Sequence, residues 1–372
     1  MRGVVLDLFK SYLSNRKQYV RLSDYTSPTL AIEYGVPQGS VLGPILFSLY
    51  INDLPNMLCV CTNSHSCTST CSRNVNFVLF ADDTSIFISG KSITDVQNMI
   101  DKVMCTLQNY LSLNYLHLNV KKTHLIRFRT LMDKEGDVFH AQYDGDPITP
   151  SNLVKFLGVM VDSKLSWEPH ITSVANKTYL ALGSLRRLRN CLPSKLIRPV
   201  FESLIQANLR YAICVWGSYS NKMLPLFKLQ KDAIRILYKL PRVSYAKPHT
   251  KPTFVSEHLL TVYSLYTLSV LAEMFSYFAS PNATSKTIKF SARNELLAIM
   301  PPGRRIYLNN NFLFAGPRLW NAAMLKKDVF SSPTCFFYPH AFKKAAKELV
   351  RGLQNSGSPN DWSEPNISLL SA

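Results

Sequence analysis

Between Phe77 and Ile88 the chain carries two short apolar runs, Phe77-Val78-Leu79-Phe80 and Thr84-Ser85-Ile86-Phe87-Ile88, broken by Ala81-Asp82-Asp83. Aromatic and β-branched residues favour the pleated surface of a strand, and two such runs around an acidic interruption read as a hairpin. The constraint is severe, because adjacent carboxylates within an apolar run are costly to bury unless a cation neutralises them. A hairpin turn places Asp82 and Asp83 at the edge of the sheet, within reach of a metal ion. Carboxylate oxygens suit Mg²⁺, which takes one or two carboxylates together with waters and substrate phosphates. Taken alone, an acidic pair in a turn is also the pattern of a solvated turn.

The flanking segments have their own periods. Leu6, Phe9, Tyr12 and Leu13 share a helical face, and Gln18 to Leu22 alternates as a strand does. Two glycines and a proline within Tyr34-Gly35-Val36-Pro37-Gln38-Gly39 forbid regular structure, so this stretch is a loop. Ser40 is expected to cap a helix whose apolar face is Val41, Leu42, Ile45, Leu46, Leu49 and Tyr50, with Pro44 tolerated in the first turn. Ser92 to Leu113 repeats apolar residues at helical spacing, with Ser92 or Thr94 as its cap. Leu125 to Phe128 and Phe156 to Val161 read as strands, separated by a Gly/Asp/Pro-rich segment from Gly136 to Pro150. No internal repeat is visible.

The charge points to a polyanionic partner. Lys and Arg number 42 against 24 Asp and Glu, a net +18, in a chain only 18% charged. Nucleic acid and an anionic membrane surface both fit such an excess. It is concentrated, since residues 178–251 hold 14 Lys and Arg against Glu202 and Asp232 alone, a net +12. Long helical patterns dominate from about residue 168 to 280, so these cations sit on helices. Arg186, Arg187 and Arg189 cluster, and Arg198, Arg210, Lys228, Lys231 and Arg235 follow. A phosphate-binding surface and a solvated helix face are both open on charge alone. Tyr211, Trp216 and Tyr219 are open to base stacking or core packing.

Leu259 to Ala279 carries one charge, Glu273, and approaches the length of a membrane span. Its serines, threonines and central Glu favour a buried helix instead. The first residues form no signal-peptide core, because Asp7 and Lys10 break the apolar patch. Eight cysteines in a chain of this length make no disulfide framework. A reducing compartment, nucleus or cytoplasm, is therefore expected. Cys59, Cys61, His65, Cys67 and Cys71 offer five soft ligands, but their spacing matches no common zinc site, and a reduced insertion is the favoured reading.

Four ordered blocks turn these pieces into one pattern. Tyr34-Gly35-Val36-Pro37-Gln38-Gly39-Ser40 with Val41-Leu42-Gly43-Pro44-Ile45-Leu46-Phe47 comes first, followed by Phe80-Ala81-Asp82-Asp83-Thr84. Leu118-Asn119-Val120-Lys121-Lys122-Thr123 and Phe156-Leu157-Gly158-Val159, with Asp162 and Trp167, complete the series. Together they closely resemble the reverse transcriptases of non-LTR (LINE-type) retrotransposons. Phe314-Ala315-Gly316-Pro317-Arg318-Leu319-Trp320-Asn321 resembles a recurrent C-terminal block of such elements.

The resemblance implies an α+β fold. A partial polymerase palm, an antiparallel sheet with packed helices, is expected over residues 1–170. A basic, thumb-like helical region would follow over 171–280, a C-terminal helical region over 281–351, and a disordered tail from 352. It implies RNA-directed DNA synthesis, with an RNA template, a DNA primer and deoxynucleoside triphosphates as partners and Mg²⁺ or Mn²⁺ as cofactor. Asp82, supported by Asp83, would hold the metal, and Lys122 would sit near the departing pyrophosphate. Pro37, Gln38, Gly39 and Ser40 would lie against the nascent base pair. Phe156, Leu157 and Gly158 would grip the primer, and Arg186, Arg187, Arg189, Arg198, Lys231 and Arg235 would meet the nucleic-acid backbone. The family's other metal-binding Asp lies upstream of a block resembling Gly3 to Leu13, so the strand carrying it and the fingers are expected to be missing. On that expectation the chain is a truncated reverse transcriptase, inactive alone. The competing reading is a non-catalytic nucleic-acid-binding remnant.

Overall fold

The computed structural model describes residues 2–57, 74–129, 138–218, 220–240, 250–279, 298, 312–325 and 339–355. The chain divides into two compact units, residues 1–154 and 155–372. Among the described residues, helices and small, mostly antiparallel sheets alternate in the first, and helices predominate in the second, so the α+β expectation holds.

In the first unit the opening periodicity forms helix α1 (Val4–Leu13), although none of its residues is buried. Strand β1 (Lys17–Gln18) pairs antiparallel with β4 (Leu30–Ala31) around the ribbon of β2 (Arg21–Leu22) and β3 (Tyr25–Thr26). Helix α2 (Gly43–Tyr50) starts later than Ser40 would set it, with Leu42 in the cap position and Pro44 in the first turn. The one-turn helix α3 (Leu54–Met57) follows. The acidic hairpin forms as expected from β5 (Val75–Phe80) and β6 (Asp83–Ile88). Helix α4 (Ile93–Leu113) is capped by Ser92, whose side chain accepts the Asp95 N–H at 3.1 Å. That bond satisfies one of the amides that a helix start otherwise leaves unpaired.

Two strand expectations change. The run from Leu125 to Phe128 contributes only β7 (His124–Leu125), which pairs parallel with β10 (Thr149–Pro150). The segment expected only to separate two strands contains a hairpin of its own, β8 (Gln142–Tyr143) with β9 (Asp146–Pro147). Its loop, Asp144-Gly145, has φ of 52° and 85°, the double left-handed conformation of a tight two-residue turn. The interior is divided. Ile51, Leu54, Leu107, Tyr110 and Leu111 pack with Phe77, Leu79 and Ile86, while Ile100, Ala141 and Ile148 make a second small cluster.

The second unit opens in β11 (Leu153–Phe156), which pairs with β12 (Val159–Asp162). The continuous strand expected over Phe156 to Val161 is broken because Leu157 and Gly158 both take positive φ, 44° and 84°, and turn the chain. Asp162 then accepts the Ser166 and Trp167 N–H groups, each at 3.0 Å, on the approach to helix α5 (Glu168–Cys191). Helix α6 (Ser194–Phe201) continues through one π-turn (Glu202–Gln206) into α7 (Ala207–Arg210), and α8 (Ile213–Trp216) follows. Helix α9 (Ser220–Leu237) runs parallel to α5. Lys222 bridges to Glu168 at 2.9 Å near their starts, and the Arg189 Nε donates to the Leu237 carbonyl at 3.1 Å near their ends.

Helices α10 (Lys251–Ser256), α11 (Val262–Ala279), α12 (Phe312–Leu325) and α13 (Pro339–Asn355) follow among the described residues. The apolar stretch in α11 is a buried helix, packed against α8, α9, α12 and α13. Among the described residues no helix is long and apolar enough to cross a membrane. Phe275, Phe342 and Trp320 stack in series, with ring centroids 4.3 and 5.5 Å apart. Two buried glutamines hold the entry to α11. Gln230 donates to the Leu260 carbonyl and accepts from the Val262 N–H, and Gln354 donates to the Leu259 carbonyl and accepts from Thr261 N–H and Ser264 Oγ. Helix α13 thus continues past residue 352, where a disordered tail is expected from the sequence, because Gln354 has buried partners. Residues 356–372 lie outside the described residues.

Candidate functional site

The hairpin β5–β6 places the two acids by register. Phe80 pairs with Asp83, leaving Ala81-Asp82 as a two-residue loop. Ala81 has φ of 53°, a left-handed value that costs a residue with a Cβ and is rare for alanine. Phe77, Leu79 and Ile86 face the packed side toward the α4 cluster, and Val78, Phe80 and Phe87 face the open side. Cross-strand partners share a face, so Asp83 stands on the open side with Phe80. Asp82 and Asp83 are both exposed, and neither makes an ion pair or side-chain hydrogen bond among the described residues.

Two exposed, unneutralised carboxylates fit the donor chemistry of a hard cation, with waters and phosphate oxygens completing its shell. Two carboxylates by themselves do not enclose a metal ion. Among the described residues no group of three or more His, Cys, Asp or Glu converges to hold a metal. Cys59, Cys61, His65, Cys67 and Cys71 lie outside the described residues.

The loop from Pro37 to Ser40 is internally braced. The Ser40 hydroxyl donates to the Pro37 carbonyl at 2.7 Å and accepts the Gly43 N–H at 3.0 Å, so it serves the first helical amide of α2 from outside the cap position. Gly43 is required by its close surroundings. A Cβ there would meet Pro37 O and Ser40 Oγ at 2.9 Å each. Gln38 and Gly39 are exposed, and Gly39 has φ of 82°. Lys122 ends a 3₁₀ turn (Val120–Lys122) whose Asn119 side chain accepts the Lys122 N–H, leaving the ammonium exposed. No hydrogen bond or ion pair among the described residues joins Lys122, the Pro37–Ser40 loop and the acidic turn.

Phe156, Leu157 and Gly158 lie in the second unit, and the structure puts Leu157 and Gly158 in a turn rather than a strand. Tyr211 supports that turn. Its hydroxyl donates to the Leu157 carbonyl at 2.6 Å, and its ring lies 3.4 Å from where a Gly158 Cβ would be. Trp216 is a core residue, fully buried, with its Nε1 donating to the Tyr211 carbonyl. Tyr219 lies outside the described residues. Sequence reasoning misses the role of Tyr211 because nothing local couples it to Leu157, 54 positions away.

The six cations singled out for phosphate binding differ. Arg186 and Arg187 are exposed on α5, with no ion pair or hydrogen bond among the described residues. Arg189 is tied to α9. Arg198 is paired with Glu202 at 3.1 Å and lies 3.7 Å from Glu257. Arg235 bonds Asp232 at 3.0 Å, and Lys231 sits over the Phe227 ring at 4.6 Å. Burial, with Arg235 and Lys228 close by, lowers the Lys231 pKa from its usual value. Phosphate would have to compete with carboxylates for Arg198 and Arg235, but not for Arg186 and Arg187.

Residues 4–161 match the reverse transcriptase (RNA-dependent DNA polymerase) family. The stretch includes the Pro37–Ser40 loop, the acidic hairpin, Lys122 and the Phe156–Gly158 turn, with Asp162 and Trp167 just beyond its end. The chain is 29% identical over 58% of its length to the RNA-directed DNA polymerase from mobile element jockey of Drosophila melanogaster. It is 26% identical over 63% of its length to the probable RNA-directed DNA polymerase from transposon BS of the same species. It is also 25% identical over 49% to the Pol polyprotein from type-1 retrotransposable element R1 of Nasonia vitripennis. Over residues 4–161 the chain is thus similar to reverse transcriptases, and these relatives are polymerases and Pol polyproteins of mobile elements. It spans about a quarter of the length of the jockey and transposon BS relatives, 23% and 25%, and about half, 52%, of the R1 one.

Proposed function

We propose that the chain supplies the carboxylate hairpin and the primer–template-binding helices of an RNA-directed DNA polymerase. The observation that carries this reading is the exposed, unneutralised pair Asp82 and Asp83, fixed at a hairpin loop inside the segment that matches the reverse transcriptase family. On this reading Asp82, with Asp83 beside it, would hold Mg²⁺ or Mn²⁺. Such an ion polarises a phosphoryl oxygen and neutralises charge developing on the phosphates. The chain's own residues position the partners. Gln38 and Gly39 present an exposed edge to the nascent base pair, and Lys122 offers a cation to the leaving pyrophosphate. The Leu157-Gly158 turn, braced by Tyr211, supports the primer terminus. Arg186 and Arg187 engage backbone phosphates with salt-sensitive, sequence-independent affinity. The palm-like part extends to about residue 170 and the thumb-like helices to about 280.

A second reading has its own support. No third carboxylate joins Asp82 and Asp83 among the described residues, which suits a chain that binds nucleic acid without catalysis. Primer extension on an RNA template with Mg²⁺ or Mn²⁺ separates the two. Incorporation that vanishes in Asp82→Ala supports the polymerase. No incorporation with retained, salt-sensitive binding supports the binding protein.

A further inference from the structure

We propose that Tyr34 and Tyr115 form a stacking platform for a nucleobase of single-stranded nucleic acid, immediately before the Pro37–Ser40 loop. The inference deepens the nucleic-acid reading above and rests on it.

The two rings are stacked, with centroids 4.8 Å apart and planes 19° from parallel. Tyr34 nonetheless stays 61% exposed and Tyr115 67% exposed. A stacked ring has one face covered by its partner, so exposure this large leaves the outer faces to water. Other stacked rings among the described residues, such as Phe275 on Phe342, lie in the core and serve packing. An exposed pair contributes little to a core but presents a flat π-surface that is fixed before anything binds.

The backbone holds Tyr115 in place at a cost. Helix α4 ends with the Leu116 N–H bonded to the Leu111 carbonyl at 2.8 Å and the Tyr115 N–H to the Ser112 carbonyl at 3.3 Å. This is the paired-bond helix ending whose left-handed residue is usually glycine. Here that residue is Tyr115, at φ of 51°. The preceding carbonyl, of Asn114, accepts the Tyr50 hydroxyl at 2.7 Å, which ties the ending to α2. Tyr34 is followed by Gly35, whose carbonyl accepts from the Arg16 guanidinium at 2.7 Å. Both rings are therefore anchored by neighbouring backbone rather than by burial. Lys121 and Lys122, exposed on the segment that follows Tyr115, supply cations for the phosphates of the same strand.

The ligand class follows from this chemistry. Every base has a π-face, so stacking on tyrosine tolerates sequence and requires an unpaired or splayed base. A template strand entering beside the Pro37–Ser40 loop meets that requirement.

The test uses the full chain and four probes: oligo(dT), a single-stranded RNA, an abasic oligonucleotide of equal length, and a blunt duplex. Replacing both residues, Tyr34→Leu with Tyr115→Leu, is expected to weaken oligo(dT) and RNA binding roughly 5- to 150-fold. Binding of the abasic strand and the duplex, and the salt dependence, should stay unchanged. The pair Tyr34→Phe with Tyr115→Phe keeps the rings and should bind like the parent, which guards against misfolding. If the leucine pair binds single strands like the parent while Arg186→Ala with Arg187→Ala weakens every probe, the platform is refuted and the nucleic-acid reading stands. If the parent chain binds none of the probes, the nucleic-acid reading fails, and the platform with it.

Discussion

Among the described residues, the largest buried side chains of the second unit, Trp216, Trp320, Phe201, Phe254 and Phe342 among them, converge on one apolar cluster, whereas the first unit divides its interior between two small ones. The exposed residues reverse that contrast. Val41, Ile45 and Leu49 around α2, and Val78, Phe80 and Phe87 on the open side of the acidic hairpin, all face water in the first unit. Among the described residues, the helical unit gathers its largest apolar side chains into a core, and the unit with the carboxylates leaves more of its apolar side chains in water.

Side-chain truncations put this contrast to the test, and the largest effect is expected in the helical core. Trp216→Ala should cost about 3–5 kcal/mol of stability, the range for deleting a buried large aromatic. Val78→Ala on the open hairpin face should stay within about 0.5 kcal/mol, as exposed positions do. Hydrogen exchange on the intact chain measures both, and equal effects would erase the difference between the units.

The buried glutamines come next. Gln354→Ala leaves the Thr261 N–H and the Leu259 carbonyl without their partners, at about 1–3 kcal/mol for each stranded group. Exchange should accelerate across α11 and α13 and leave the first unit unchanged.

A smaller effect of opposite sign is expected at the acidic turn. Ala81→Gly removes the Cβ from a left-handed position and should stabilise the hairpin by up to about 1 kcal/mol, read as slower exchange in β5 and β6. No gain would mean that the turn is unstrained.

The smallest prediction concerns His170. It is buried, its Nδ1 accepts the Met160 N–H, and burial with Lys177 nearby lowers its pKa from 6.5. The unfolded chain then binds the proton more readily than the folded one, so stability falls as pH drops through 6.5 toward the depressed folded value. Thermal midpoints of the parent should fall more across that window than those of His170→Gln.

Much of this is legible in the sequence, and the failures share a cause. The acidic hairpin, the Ser92 cap and the buried helix α11 follow from local period and capping chemistry, which a window of residues contains. The Leu157-Gly158 turn is hidden because Phe156 to Val161 is apolar throughout, and period alone cannot mark a break inside such a run. The Asp144-Gly145 hairpin carries its signal in that dipeptide, but the surrounding polar residues mask it. The roles of Tyr211, Gln230 and Gln354 depend on partners 30 to 95 positions away, which no local pattern encodes. From charge alone a polyanionic partner is only an expectation, and the structure separates Arg186 and Arg187 from Arg198 and Arg235, whose carboxylate partners already engage them.

The most direct test of the central claim is the affinity of the full chain for an RNA–DNA primer–template as a function of salt. The logarithm of the binding constant should fall linearly with the logarithm of salt concentration. In Arg186→Ala with Arg187→Ala the slope should shrink by about 0.9 for each phosphate that the missing guanidinium no longer neutralises. A parent chain that does not bind the primer–template, or binds it with no dependence on salt, would contradict the account.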